Sequence, residues 1–302
     1  MPLVPTRELV SQAAAAGRAV AAFNVITLEH AEAITTGAAA AGAPGVILQI
    51  SENAVRFHGG RVEPIARAAA EVGKACEVDI ALHMDHVTDM RLLRTAADAG
   101  FSSAMFDAGA QPYAENLAAT RAAVQWAHGA GLWLEAELGY VGGKPDAPAS
   151  AHAAGVRTDP QEAARYVADT GVDALAVAVG SSHAMTERSA TLDHALIERL
   201  REAVPVPLVL HGSSGVGDDD LRQAVRAGIA KINIGTALNV AFTGAVREAL
   251  AERPDLTDPR PYIDRGRQTM AETVRVLLGV VSGSAGPEAF PAPEVAHRAG
   301  PQ

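Results

Sequence analysis

The stretch PQEAARYVADTGVDALAVAVG, residues 160–180, holds one complete turn of the pattern that decides the fold. Residues 160–170 have helical spacing, and the Thr-Gly pair at 170–171 stops the helix, because glycine takes the left-handed backbone that ends one. ALAVAVG (174–180) follows. It is too short for a buried helix and too continuously apolar for a strand with one wet face, so it reads as a parallel strand covered on both sides.

The same unit recurs in both directions. Strand-like runs are AAFNV (21–25), GVILQI (45–50), DIALHMD (79–85), SAMFD (103–107), LWLEAEL (132–138), PLVLHG (207–212) and KINIG (231–235). Helical stretches such as 28–41, 62–75, 112–129, 193–203 and 218–227 lie between them, and Ala-Gly pairs at 99–100, 130–131 and 227–228 repeat the punctuation. Eight strands alternating with eight helices are the number that closes an α/β (β/α)8 TIM barrel, with right-handed crossovers placing the helices outside. An open doubly wound sheet is disfavoured, since the first strand runs into FNVITLE (23–29) rather than a glycine-rich dinucleotide turn. A further helix over 6–16 is expected to close the N-terminal end, and 255–280 to supply one or two more. Residues 1–281 are read as a single domain, and the Gly-, Pro- and Ala-rich tail 282–302 as disordered.

Composition narrows the function. The 302 residues carry 25 Lys plus Arg against 35 Asp plus Glu, a formal charge of −10, which argues against nucleic acid or an anionic membrane as partner. Cys76 is the single cysteine, so any metal must be held by His and carboxylates. That cysteine usage, with no signal-like N-terminus and no long apolar run, points to a cytoplasmic protein.

Barrels of this kind place chemistry at the C-terminal ends of their strands. Those ends are polar here: Asn24, Ser51, Asp85, His86, Asp107, Glu135, Glu137, His183, His211, Asn233 and Thr236. His86, His183 and His211 fall at or just past strands three, six and seven, and three histidines from separate strands can form a catalytic zinc site with an open position. Asp85 is either a proton shuttle beside that ion or a cap for the next helix. Asp107 and Glu137 are orienters of the ligands, a second metal position, or solvated loop acids. His83 lies inside its strand and is assigned a structural role, and the remaining histidines, His30 among them, fall in helices, loops or the tail, most of them expected at the surface. HGSSGVG (211–217) and NIGT (233–236) follow strands seven and eight, where exposed backbone N–H groups commonly bind phosphate.

Taken together, AFNV (22–25), HMDH (83–86), EAELGYVGG (135–143), VDALAVAVGSSH (172–183), LVLHGSSG (208–215), KINIGT (231–236) and DPRPY (258–262) resemble the class II, metal-dependent ketose-bisphosphate aldolases of the fructose- and tagatose-bisphosphate type. The resemblance spans roughly residues 3–280. It implies cleavage of a ketose 1,6-bisphosphate to dihydroxyacetone phosphate and an aldehyde such as glyceraldehyde 3-phosphate. The ion would be Zn2+ or another divalent metal on His86, His183 and His211, with a Na+ or K+ near the phosphate. The same resemblance implies Asp85 as acid/base and Asn24, Ser51, Gly212, Ser214, Asn233 and Thr236 around the substrate. Arg260 would hold the distal phosphate, in some family members from a neighbouring subunit of a homodimer or homotetramer.

Departures from the pattern bear on the substrate. Pro145 stands where a loop glutamate is usual, Ala184 follows His183 in place of glycine, and Ala237 and Asn239 replace an acid and a base. A related aldolase for an unusual or deoxy sugar phosphate, or a binder without turnover, is the alternative reading. The other aldolase route needs a Schiff-base lysine. Of Lys74, Lys144 and Lys231, the first reads as helical and the last as the start of strand eight, which leaves Lys144. Borohydride added with substrate is expected to leave activity intact; irreversible inactivation at Lys144 would overturn the metal route.

Overall fold

Eight parallel strands pair in chain order in the computed structural model, which describes residues 3–139 and 157–282. They are β1 (Val20–Asn24), β2 (Gly45–Ser51), β3 (Asp79–Val87), β4 (Ser103–Phe106), β5 (Trp133–Leu138), β6 (Ala174–Val177), β7 (Leu208–Leu210) and β8 (Ile229–Ile234). β8 pairs back onto β1, with Ala22 opposite Asn233, and the sheet is a closed barrel. The helices are α1 (Thr6–Ala15), α2 (Leu28–Ala40), α3 (Glu52–Phe57), α4 (Glu63–Lys74), α5 (Met90–Leu93), α6 (Tyr113–Gly129), α7 (Pro160–Thr170), α8 (His194–Ala203), α9 (Asp218–Ala227), α10 (Thr236–Glu252) and α11 (Arg260–Val281).

The barrel expected from the sequence is therefore present, with differences in detail. The 255–280 segment is one helix, beginning at Arg260. α3 and α10 carry too weak an apolar stripe to stand out in the sequence; in the 17-residue α10 only Leu238, Ala245 and Ala249 are buried. Strand β3 runs two residues past its expected end, so His86 lies within it. Residues 140–156, which include Lys144, Pro145, Asp146 and His152, and residues 283–302 of the tail lie outside the described residues.

Alternation along each strand divides the core into two layers. Ala21, Phe23, Val46 and Leu48 pack outward beneath the helices, whereas Val20, Ala22, Ile47, Ala81, Trp133, Ala174, Ala176, Val209 and Ala230 fill the barrel interior. Leu9 and Val10 of α1 join that interior cluster and stopper its N-terminal end. Two residues further along, the same inward rows turn polar: Ala22 leads to Asn24, Ile47 to Gln49, Ala81 to His83 and Asp85, Trp133 to Glu135 and Glu137, and Val209 to His211. An apolar floor thus carries a polar upper layer, and that layer is the base of the site.

α11 closes the outside by lying across α2. Gly37 permits the approach, because a Cβ there would sit 2.4 Å from the Ala271 carbonyl oxygen and 2.7 Å from Val274 Cβ. Gly37→Ala is expected to cost about 1–3 kcal/mol of unfolding free energy through overpacking, read by chemical denaturation. An unchanged midpoint would show that the two helices part without cost.

Candidate active site at the barrel mouth

His86, His183 and His211 converge, each offering a ring nitrogen, with the three nitrogens within 4.8 Å of one another. Their ring centroids are 4.9–5.8 Å apart. They come from the end of β3, the loop after β6 and the residue after β7, the strand ends at which the sequence placed them.

Local backbone aims the first of them. In a regular strand Asp85 and His86 would point to opposite faces, but β3 shifts register against β4 between Met84 and Val87, and His86 adopts φ 51°. A bulge with a left-handed residue turns the side chain, so that both Asp85 and His86 line the cavity. Asp107, after β4, meets His86 Nδ1 through Oδ2 at 2.9 Å and accepts the Gly109 N–H on Oδ1 at 3.0 Å. That leaves Nε2 of His86 to face the other rings. Ala184 also has positive φ, 58°, immediately after His183. Left-handed backbone at a residue with a Cβ costs roughly 1–2 kcal/mol, and here it occurs at one of the three converging histidines and directly after another.

His211 is fixed by carboxylates. Its Nε2 lies 2.8 Å from Glu135 Oε1, and its Nδ1 lies 3.2 Å from Glu137 Oε2. Burial disfavours the charged imidazole, but the two glutamates outweigh it and push the group up to about 9. His211 is buried, and one of its ring nitrogens lies within 4.8 Å of those offered by the other two histidines. A cation there would satisfy the nitrogen and be balanced by the acids behind it, so the donor set fits a divalent metal bound by three imidazoles.

Beneath the histidines runs a buried ion pair. Lys231 Nζ donates to Glu135 Oε2 and to Asn233 Oδ1, each at 2.8 Å, and all three residues are buried. Lys231 is the third residue of β8 and does not begin the strand; its amine is committed to these oxygens. Burial alone would raise the Glu135 carboxyl, yet Lys231 and His211 hold it far below its usual range.

Asp85 is 2% exposed. Asn233 Nδ2 donates to its Oδ1 at 3.3 Å, and Gln49 Nε2 to its Oδ2 at 3.5 Å. Burial pushes this carboxyl up, but neighbouring His86, His211, His83 and Lys231 prevail and leave it below the ordinary carboxylate value. It is therefore an ionised base at neutral pH, facing the cavity. His83, two residues earlier, donates or accepts at Ser103 Oγ through Nδ1 at 2.8 Å, and burial, followed by Lys231, drives it down to about 3. It stays neutral, in keeping with the structural role expected of it.

Asn24, Gln49, Ser51, Asp85, His86, Asp107, Glu137, His183, Gly212, Ser214, Asn233 and Thr236 all line one cavity of about 660 Å³. Ser51 also caps α3, accepting the Ala54 N–H at 3.2 Å. The β7 and β8 loops are tied together by Ser213 Oγ to the Asn233 carbonyl and by the Ala237 N–H to Ser214 Oγ. Gly212, at φ 65°, packs on the Ser182 backbone, which a Cβ would meet at 2.5 Å. Arg260 is not brought to this cavity: it is 88% exposed at the start of α11 and paired with Asp258. His30, one of the histidines outside the site, is buried in α2, where its ring turns back to accept from the Thr27 N–H at the helix start.

The fructose-bisphosphate aldolase class-II family matches residues 4–286. The chain belongs to this family. It is accordingly an aldolase, a lyase, and members of the class-II family act with a metal on phosphorylated sugars. A fructose-bisphosphate aldolase from Geobacillus stearothermophilus is 38% identical over 276 residues, covering 91% of this chain and 95% of the relative. The crystal structure of the YdjI aldolase from Escherichia coli K12 superposes with a TM-score of 0.80 at 32% identity, over 94% of this chain and 100% of that one. A fructose-bisphosphate aldolase from Campylobacter jejuni, at 23% identity and TM-score 0.78 over 93% and 95% of the two chains, shares the fold. Among the described residues of this class-II aldolase no helix is long and apolar enough to cross a membrane.

Gln49, Glu52 and the coupling of Lys231 to Glu135 escaped the sequence reading. A glutamine inside the apolar run GVILQI was a signal; nothing along the chain shows that Lys231 and Glu135 meet. Lys231→Met is expected to cost about 3–5 kcal/mol in denaturant unfolding, since it strands the Glu135 charge, and adding Glu135→Gln should recover part of it. Additive losses in the double variant would show that the pair does not interact.

Proposed function

We propose that this aldolase reversibly cleaves a ketose 1,6-bisphosphate of the fructose or tagatose type between C3 and C4, yielding dihydroxyacetone phosphate and glyceraldehyde 3-phosphate. The observation that carries the reading is an ionised, 2% exposed Asp85 in the same cavity as three converging histidines. His86, His183 and His211 would hold the ion, zinc by the preference of an all-imidazole set, with Glu137 and Asp107 behind or beside it. When bound, the ion supplies a Lewis acid for the negative charge that builds on the ketose oxygens during cleavage.

The remaining work falls to side chains. Asp85 takes the proton from the C4 hydroxyl as the C3–C4 bond breaks, and returns it in the aldol direction. Its low carboxyl value keeps it in the accepting form, and Asn233 and Gln49 hold the carboxylate in place. Asn24 and Ser51 line the β1 and β2 side of the cavity, where the rest of the sugar lies. Gly212, Ser214 and Thr236, with the first N–H groups of α10, receive the phosphate of the dihydroxyacetone half, where a Na+ or K+ adds charge balance. We further assign a homodimer or homotetramer in the cytoplasm, in which the exposed Arg260, held by Asp258, would serve a neighbouring subunit.

The deciding assay is dihydroxyacetone phosphate release from fructose and tagatose 1,6-bisphosphates by EDTA-treated and zinc-restored protein. Turnover only after zinc is expected; turnover unaffected by EDTA would rule the metal out. His86→Ala should lose bound zinc. Asp85→Asn should retain it while kcat falls about 10²–10⁴-fold, and equal zinc loss in both variants would contradict the separate roles.

A further inference from the structure

We infer that Arg188, Asp218 and Asp220 are positioning residues for His183, clasping the loop that carries this histidine to the first turn of α9; this rests on the reading above of three histidines as a metal site. His86 belongs to β3 and His211 directly follows β7, and carboxylates bond both rings. His183 is placed differently. It lies between Val177, the end of β6, and His194, the start of α8, in a segment with no helix or strand. A metal ligand must be held to within about half an ångström of its working position, so a histidine on such a segment depends on what fixes the segment.

The anchors come from the β7 side. Past left-handed Ala184, Met185 packs against Gly215, where a Cβ would sit 2.6 Å from Met185 Cβ. The Ala190 N–H donates to the Gly215 carbonyl at 2.9 Å, and Ala190 and Val216 form a parallel bridge. Arg188 Nε donates to the Val216 carbonyl at 2.8 Å, and its Nη2 donates to Asp218. Asp220 accepts the Leu192 N–H at 2.9 Å on Oδ2 and bonds His194 Nε2 through Oδ1. The His183 segment is thereby fastened through Met185, Arg188, Ala190 and Leu192 to one stretch, residues 215–220.

Exposure separates these acids from ordinary residues of a helix start. α9 opens on Asp218, Asp219 and Asp220, and acids at that end stabilise any helix through its dipole. Asp219 fits that role: its side chain is 91% exposed and pairs with Arg222 of the same helix. Asp218 and Asp220 are 16% and 21% exposed and are turned to the His183 segment instead. The stretch they belong to also carries Ser214, which lines the cavity and accepts the Ala237 N–H. One clasp therefore sets the loop of a histidine and the loop of the β7 hydroxyls in a single register. Arg188, with 34% of its side chain exposed, can be replaced without opening the core.

Zinc affinity of the metal-stripped protein, read by competition with a chromophoric chelator, tests the role without substrate. Arg188→Gln and Asp220→Asn are each expected to weaken it about 10–100-fold, the loss that follows when a group orienting a metal ligand is removed. Arg188→Lys, which keeps a charge opposite Asp218, should recover part of it. To show that the effect passes through His183, the His183→Ala protein is titrated with copper(II), the divalent ion that imidazole sites bind most tightly; adding Arg188→Gln there should change the affinity by about twofold or less. Unchanged zinc affinity in Arg188→Gln and Asp220→Asn, even with easier unfolding of the metal-free protein, would overturn the assignment. So would an equal further loss in the absence of His183. Failure of the unaltered protein to bind zinc would overturn the metal-site reading and this assignment with it, whereas clasp-dependent zinc binding without turnover would count against the lyase reading alone.

Discussion

A carboxylate at the centre of a barrel is stable only if its charge is met, and Glu135 is met on both oxygens. Lys231 holds one and His211 the other. Desolvating these groups separately would cost several kcal/mol each, so the arrangement persists because every member has its partner. The upper part of the barrel is built on this pairing. Lys231 also fixes the Asn233 amide, Asn233 then donates to Asp85, and His211 is held through Nε2 by Glu135 beside His86 and His183. A lysine that reads as remote from the chemistry sets the orientation of the base and of a ligand together.

The apolar floor gives this network its leverage. Below it the interior is filled by small and branched side chains and stoppered by α1, so water does not reach the ion pair from beneath. Above it the cavity opens to solvent between the strand ends. Charged groups sit at the boundary, where burial strengthens their mutual interactions while one side remains accessible to a ligand. Asp85 and His83 show two outcomes of the same burial. The first is held as an anion by its neighbours, and the second stays neutral because Lys231 and the lack of solvent both disfavour a further positive charge.

Departures from regular backbone occur where function needs a side chain turned. The β3 bulge and left-handed His86 place two consecutive residues on one face, and Ala184 takes a similar conformation beside His183. Gly212, by contrast, answers a packing demand from the Ser182 backbone. Such positions are paid for by the surrounding strands, whose hydrogen bonds hold the chain on either side.

Much of this was legible in the chain. Alternating apolar runs and glycine-stopped helices specify an eight-unit barrel, because each short apolar strand must be buried on both faces and each helix must cover it. The order of the units then places His86, His183, His211 and Asp85 at one mouth, since strand ends of a closed parallel sheet share a side. What the linear order does not contain is rotation and distance across the barrel. The bulge that redirects His86, the meeting of Lys231 with Glu135 across 96 positions of chain, the burial of His30 and the separation of Arg260 from the cavity were decided by tertiary packing. Residue type and spacing determine which face a side chain takes along its own strand. Which charge it meets depends on the stagger and closure of all eight strands.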